Sequence, residues 1–227
     1  MKSVFTGLVI FLSVAFLGCR EPKSYQETFP EYVEDFDASL PDGGEPAPAA
    51  ACSEGAAYEF NNNFSPYFGG ESSIEAEVVH FSSFYCSHCA EFAAYTAARW
   101  DNRPEYMENV RTYFHHATFA FRHRAAVAAY NQGATYFWKL HDYIYVKMLQ
   151  GSGPSDSQIV SYAESLGLDM DRFETDIEAD ETYAFLKWDA NQGFAADMEN
   201  KGTPTVFVCG ETVDYWPDVE DMIDEHL

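Results

Sequence analysis

The chain has 227 residues, 47% of them hydrophobic and 17% aromatic, enough for one sizeable folded domain with appendages. Its 37 acidic and 13 basic side chains give a formal net charge of -24. So acidic a surface repels nucleic acid and anionic lipid headgroups, which excludes nucleic-acid binding.

In chain order, "MKSVFTGLVIFLSVAFLG" comes first. Lys2 gives a positive start, and Val4 to Leu17 is an apolar run too short to span a bilayer comfortably. Residues 1–18 are read as a signal peptide. The following "FLGC" resembles the bacterial lipoprotein signal, in which small residues precede a cysteine that becomes lipidated, here Cys19. Phe16 is a less usual first residue for that signal. The alternatives are an ordinary cleaved signal and an uncleaved anchor. All three put the domain outside the cytoplasm, where disulfides persist. Residues 19–54 are rich in Pro, Ala, Asp and Glu without sustained periodicity, and read as an acidic flexible tether.

The domain is expected over 55–227. "EVVHFSSF" (77–84) reads as a strand that feeds two cysteines, and "AEFAAYTAARW" (90–100) as a helix. "NVRTYFHHATF" (109–119) reads as a second strand. A helical block follows over about 120–200, with a break near Gly133 and a capping box formed by Ser155 and Gln158. "TPTVFVCG" (203–210) and "TVDYW" read as strands, and Pro217 as the first residue of a last helix. The order implies an α/β sheet with helices inserted in the middle.

The chemistry centres on "FYCSHCAEF", with Cys86 and Cys89 at a strand-to-helix junction. Haem attachment would need histidine directly after the second cysteine, and Ala90 stands there. Zinc would need two further ligands at suitable spacing, and there is no second cysteine pair, so no metal is assigned. An inert bridge across a helix start closes a tiny loop and stabilises little. A reactive pair has a physical basis. Cys86 meets the unpaired N–H groups and dipole of a helix N-terminus, His88 can add positive charge or a hydrogen bond, and Cys89 one turn on faces the core.

From about Val78 onward the chain resembles the DsbA-like branch of the thioredoxin-fold oxidoreductases. The resemblance rests on "VVHFSSFYCSHC", on "HDYIYVK" and "YAESLGLDMDRFE" in the helical block, and on "GTPTVFVCG". It implies a thioredoxin-like α/β fold with a helical insertion between a strand–helix–strand half and a strand–strand–helix half. It implies a redox-active Cys86–Cys89 disulfide, with Cys86 the nucleophile and Cys89 the resolving thiol, and no cofactor. It implies a cis bond between Thr203 and Pro204, presenting the Thr203 backbone to an extended client peptide. Cysteine-containing client proteins and a membrane redox partner are the implied partners. With the signal at the start of the chain, the expected location is the periplasmic side of a bacterial envelope, held by a lipid anchor as the only membrane contact, or secreted.

This chain departs from the family pattern in three places. Serine stands at 87 where DsbA has proline, and Thr203 is more typical of isomerase and reductase members. His88 is typical of strongly oxidising members and weighs towards an oxidase. A reductase or isomerase, and a non-catalytic peptide-binding module, are the alternatives. Third, His80 occupies the position, six before the first cysteine, where the fold often holds a buried acid. We expect His80 to replace that acid as base for Cys89 and to titrate between about pH 5 and 8. The alternative is a core histidine bonded to a backbone carbonyl. His115, His116, His123 and His141 read as surface or satisfied core histidines without a role. Of five cysteines, Cys52 and Cys209 remain after Cys19 and the pair, and are expected to form a structural bridge; two separate thiols are the alternative.

Overall fold

The computed structural model describes residues 52, 57–62, 64–70, 74–100 and 102–227. The signal sequence at 1–18, Cys19 and, apart from Cys52, the tether at 19–54 lie outside the described residues. Among the described residues five strands form one sheet in the order β1-β3-β2-β4-β5: β1 Tyr67–Phe68, β2 Ala76–Ser82, β3 Val110–His116, β4 Thr205–Val208 and β5 Glu211–Val213. The central strand β2 is parallel to β3 and antiparallel to β4. Nearly every side chain of β2 is buried, as expected for a strand covered by helices on both faces.

Helix α1 (Ser87–Trp100) and the short α2 (Pro104–Asn109) connect β2 to β3. After β3 come α3 (Phe121–Tyr130), α4 (Ala134–Leu149), α5 (Asp156–Ser165), α6 (Met170–Glu178), α7 (Asp180–Ala195) and α8 (Met198–Lys201). Gly133 separates α3 from α4 at φ 143°, a conformation that favours glycine. The capping box of α5 is complete. Gln158 N–H donates to Ser155 Oγ, and Ser155 N–H donates to Gln158 Oε1.

One face of the sheet carries His80, Phe114 and Val206 beneath α1, α4 and the C-terminal α9 (Val219–Asp224). On the other, Phe81 and His115 meet α7. A Cβ at Gly193 would lie 2.7 Å from the Phe81 ring, so only glycine lets that helix approach so closely. This is the thioredoxin-like α/β fold with a helical insertion.

Boundaries differ from expectation where the backbone has other partners. The strand expected over 77–84 ends at Ser82, because the N–H groups of Ser83 and Phe84 turn to side chains. The strand expected over 109–119 ends at His116, and Phe119 is exposed. The strand expected from 203 starts at Thr205, since Pro204 has no N–H to give to a ladder. Cys209 and Gly210, both with positive φ, form the turn that ends it. Pro217 opens a 3₁₀ turn (Trp216–Asp218) rather than α9 itself.

Candidate active site

The site lies where β2 passes into α1. Cys86 stands one residue before the helix, half-buried, while Cys89 one turn later is buried. Both are free thiols, so the structure shows the dithiol state. The cis Thr203–Pro204 peptide lies against them. The Cys86 thiol donates to the Thr203 carbonyl oxygen at 3.1 Å. Ser83 N–H donates to Cys89 Sγ at 3.4 Å.

The two sulfurs are pushed in opposite directions. The Cys86 thiol falls from 9.0 to about 5, chiefly because Cys89 donates a hydrogen bond to it. The Thr203 side chain and the backbone N–H groups of Cys89 and His88 add to this, while burial pushes the other way. Cys89 is pushed up, chiefly by burial and then by its hydrogen bond with Cys86. One thiolate next to one thiol therefore suits the arrangement.

His88 is exposed, and what it gives Cys86 is its backbone N–H. The expected imidazole effect is thus replaced by a main-chain one. His80 is buried beneath α1, edge-on to Phe92 and Phe114. Its Nδ1 meets Ser82 Oγ at 2.9 Å, so its partner is a hydroxyl rather than the carbonyl weighed above. Burial first, then the charges of His141 and His115, pushes it down to about 3. It is neutral throughout pH 5–8, and the titration expected there does not arise.

Several supports were not singled out from the sequence. Phe84 N–H donates to His123 Nε2 at 3.0 Å. The proton of His123 is therefore on Nδ1, which donates to His116 Nδ1 at 2.8 Å. Both rings are fully buried and held neutral by that burial, His123 at about 3. Arg122 donates to the carbonyls of Phe84 (2.8 Å) and Pro154 (2.7 Å), and its guanidinium lies 4.3 Å from the Tyr85 ring centroid. These groups fix the turn before Cys86 from the helical insertion. Their sequence signal was the locally basic "HHATFAFRHRA", to which spacing alone gives no role. His115 pairs with buried Asp189 at 2.6 Å on the other face of the sheet.

Cys52 and Cys209 are joined by a disulfide, with Cα atoms 5.2 Å apart and 157 residues between them in sequence. Cys209 follows β4 at the end remote from Thr205, so this bridge is distant from the reactive pair. Among the described residues no three His, Cys, Asp or Glu side chains gather as a metal-ligand set, and no helix is long and apolar enough to cross a membrane.

The family model described as Thioredoxin matches residues 63–225. Among solved structures, the chain is similar to BdbD from Bacillus subtilis, with a TM-score of 0.57 and 17% identity over 71% of this chain and 89% of that one. It is similar to a thioredoxin-like oxidoreductase from Silicibacter pomeroyi DSS-3, at 0.53 and 23% over 71% and 91%. It is also similar to the thiol-disulfide exchange protein alpha-DsbA2 from Wolbachia pipientis, at 0.55 and 19% over 71% and 86%. At these identities the likeness is one of fold. Among curated proteins, a Na(+)/H(+) antiporter NhaA from Herminiimonas arsenicoxydans is 27% identical over 146 residues, covering 62% of this chain and 22% of that protein. NhaA 3 from Salinispora tropica is 31% identical over 150 residues, covering 62% and 21%. The chain thus spans about a fifth of the length of the curated relatives it matches.

Proposed function

The chain belongs to the thioredoxin family, and on that premise we propose that it exchanges disulfides with cysteine-containing client proteins through Cys86 and Cys89, chiefly as an oxidase. The observation that carries this reading is the placement of the two sulfurs: Cys86 half-buried at the start of α1 with its thiol 3.1 Å from the Thr203 carbonyl beside a cis proline, and Cys89 buried one turn behind it.

In the oxidising direction a client thiolate attacks Cys86 Sγ. The Cys86–Cys89 bond breaks, its electron pair passes to Cys89, and a mixed disulfide joins client to Cys86. The client's second thiol, losing its proton, attacks its own sulfur in that bond and expels Cys86 as thiolate. The thiolate is a good leaving group because its hydrogen bonds hold its pKa low. The same stabilisation favours the reduced protein over the disulfide form, which is what makes a pair oxidising. Thr203 serves the client backbone. Once Cys86 has no proton to donate, the Thr203 carbonyl is free to accept a client N–H in strand fashion, with Pro204 holding the loop beside the sulfurs. His80 acts as a neutral partner that fixes Ser82 rather than as a base.

The Cys52–Cys209 disulfide supports an oxidising compartment. We assign 1–18 as signal peptide, 19–54 as tether and 55–227 as the domain, tethered through lipidated Cys19 on the periplasmic side of a bacterial envelope. A membrane redox partner reoxidises the pair. Acyl labelling that is lost in Cys19→Ser tests the anchor, and labelling that persists contradicts it.

The test of the exchange itself is trapping. Cys89→Ala should accumulate client proteins as mixed disulfides released by reductant, and Cys86→Ala should accumulate none. Equal capture by both variants overturns the assignment of roles.

A further inference from the structure

Tyr145 comes from α4 in the helical insertion, and its ring is 3% exposed. It packs 5.1 Å from Phe84 and 4.7 Å from His141, centroid to centroid, in the same apolar cluster as Cys89. Its hydroxyl is buried and makes no hydrogen bond to any described residue. A phenol O–H left unpaired in a dry interior is costly, and such a group calls for an explanation. Ser82 lies near enough for its hydroxyl to favour the ionised phenol, but that Oγ is engaged with His80 Nδ1 at 2.9 Å and sits outside hydrogen-bond geometry for Tyr145. Burial first, then the charge of Cys89, holds the phenol well up, so it remains a protonated donor.

Cys89 has the complementary deficit. When the disulfide opens, the electron pair lands on a sulfur that is 1% exposed. The backbone N–H of Ser83 donates to it at 3.4 Å and the Thr203 side chain also favours its charge, but burial outweighs both and holds the thiol up. A thiolate there needs a further donor. We propose that the Tyr145 hydroxyl is that donor. It gives an O–H···S hydrogen bond to Cys89 in the state where Cys89 carries the negative charge. This deepens, and rests on, the disulfide-exchange reading above.

The step balances without another reactant. A client thiolate forms the new S–S bond to Cys86 Sγ, the Cys86–Cys89 bond breaks, and Cys89 becomes a thiolate held by Ser83 N–H and Tyr145 O–H. Of the two protons the client dithiol loses, one ends on Cys89 and the other in solvent. Cys86 remains ionised.

The test uses the oxidised full chain and reduced glutathione as probe, following the rate at which the Cys86–Cys89 disulfide opens. Tyr145→Phe removes the hydroxyl and keeps the ring. It should slow opening by about tenfold, the scale of one lost hydrogen bond to a charged group, while the pH midpoint of Cys86 alkylation stays in place. An unchanged rate overturns the proposal. Replacing Tyr145 by 3-fluorotyrosine, a more acidic phenol of nearly the same shape, should speed opening. This carries the test alone should the phenylalanine variant fail to fold, and an unchanged or slower rate there overturns the proposal. A wild-type disulfide that glutathione never opens would instead refute the exchange reading itself.

Discussion

In the dithiol state the Cys86 thiol donates to the carbonyl oxygen of Thr203 at 3.1 Å, a contact between residues 117 apart in the chain. It ties the proposed nucleophile to the loop proposed to meet a client backbone. Ionisation of Cys86 removes the shared proton and releases that carbonyl, so the charge on the sulfur and the availability of the peptide edge change together.

The pH at which Cys86 reacts follows from its surroundings. Iodoacetamide alkylation of the reduced protein should rise with a midpoint near pH 5, since the thiol is held down to about 5 by Cys89, Thr203 and two backbone N–H groups. The folded pKa lies below the unfolded one. The stabilisation of the reduced fold is therefore complete above about pH 9 and is lost as pH falls towards 5. A midpoint near 8.5 would remove the basis of the mechanism.

His88 tests main chain against side chain. His88→Ala retains the N–H and should leave the Cys86 midpoint nearly unchanged. His88→Pro removes the N–H at a first-turn position that tolerates proline, and should raise the midpoint by about one unit. A large shift in the alanine variant would restore the imidazole to a direct role.

Buried histidines make the fold sensitive to acid. His80, His116 and His123 are pushed down by burial, the first and last to about 3. The unfolded chain takes up protons below about pH 6.5 that the folded chain refuses, so stability should fall as pH drops from there, by up to about 4 kcal/mol per pH unit for three protons. Denaturant melts between pH 7 and 4 measure this slope. A flat profile would place these rings in contact with water.

His123→Leu keeps the volume of the ring but leaves Phe84 N–H without its acceptor, and should cost about 1–3 kcal/mol of stability. Thermal melts of the reduced protein give the value.

A non-reduced digest should yield the Cys52 and Cys209 peptides linked. Cys52→Ser should destabilise the domain, with roughly 5 kcal/mol as the upper figure from chain entropy for a loop of this length. Both cysteines alkylated without reductant would show the bridge absent in solution.

What the sequence made legible were features whose signal is local. The strand into the cysteines, the capping box at Ser155 and Gln158, and the break at Gly133 depend on neighbours within a few residues. Helix α2 and the two-residue β1 were missed because they are too short to show a period. The supports of the site were illegible for another reason. Phe84 meets His123 across 39 positions, and Tyr145 joins the cluster that holds Cys89 only because α4 packs on α1. His80 was legible as a special position, but not in its ionisation. That depends on Phe92, Phe114 and the absence of water around it, which no spacing encodes.

The reduction potential of the Cys86–Cys89 pair, measured in glutathione buffers, reports how far the protein favours its dithiol form. Stabilisation of the Cys86 thiolate makes the disulfide easy to reduce, so the potential should be more positive than about −180 mV. A value at or below about −230 mV, in the range of glutaredoxins and thioredoxin, would contradict it and make the protein a reductant.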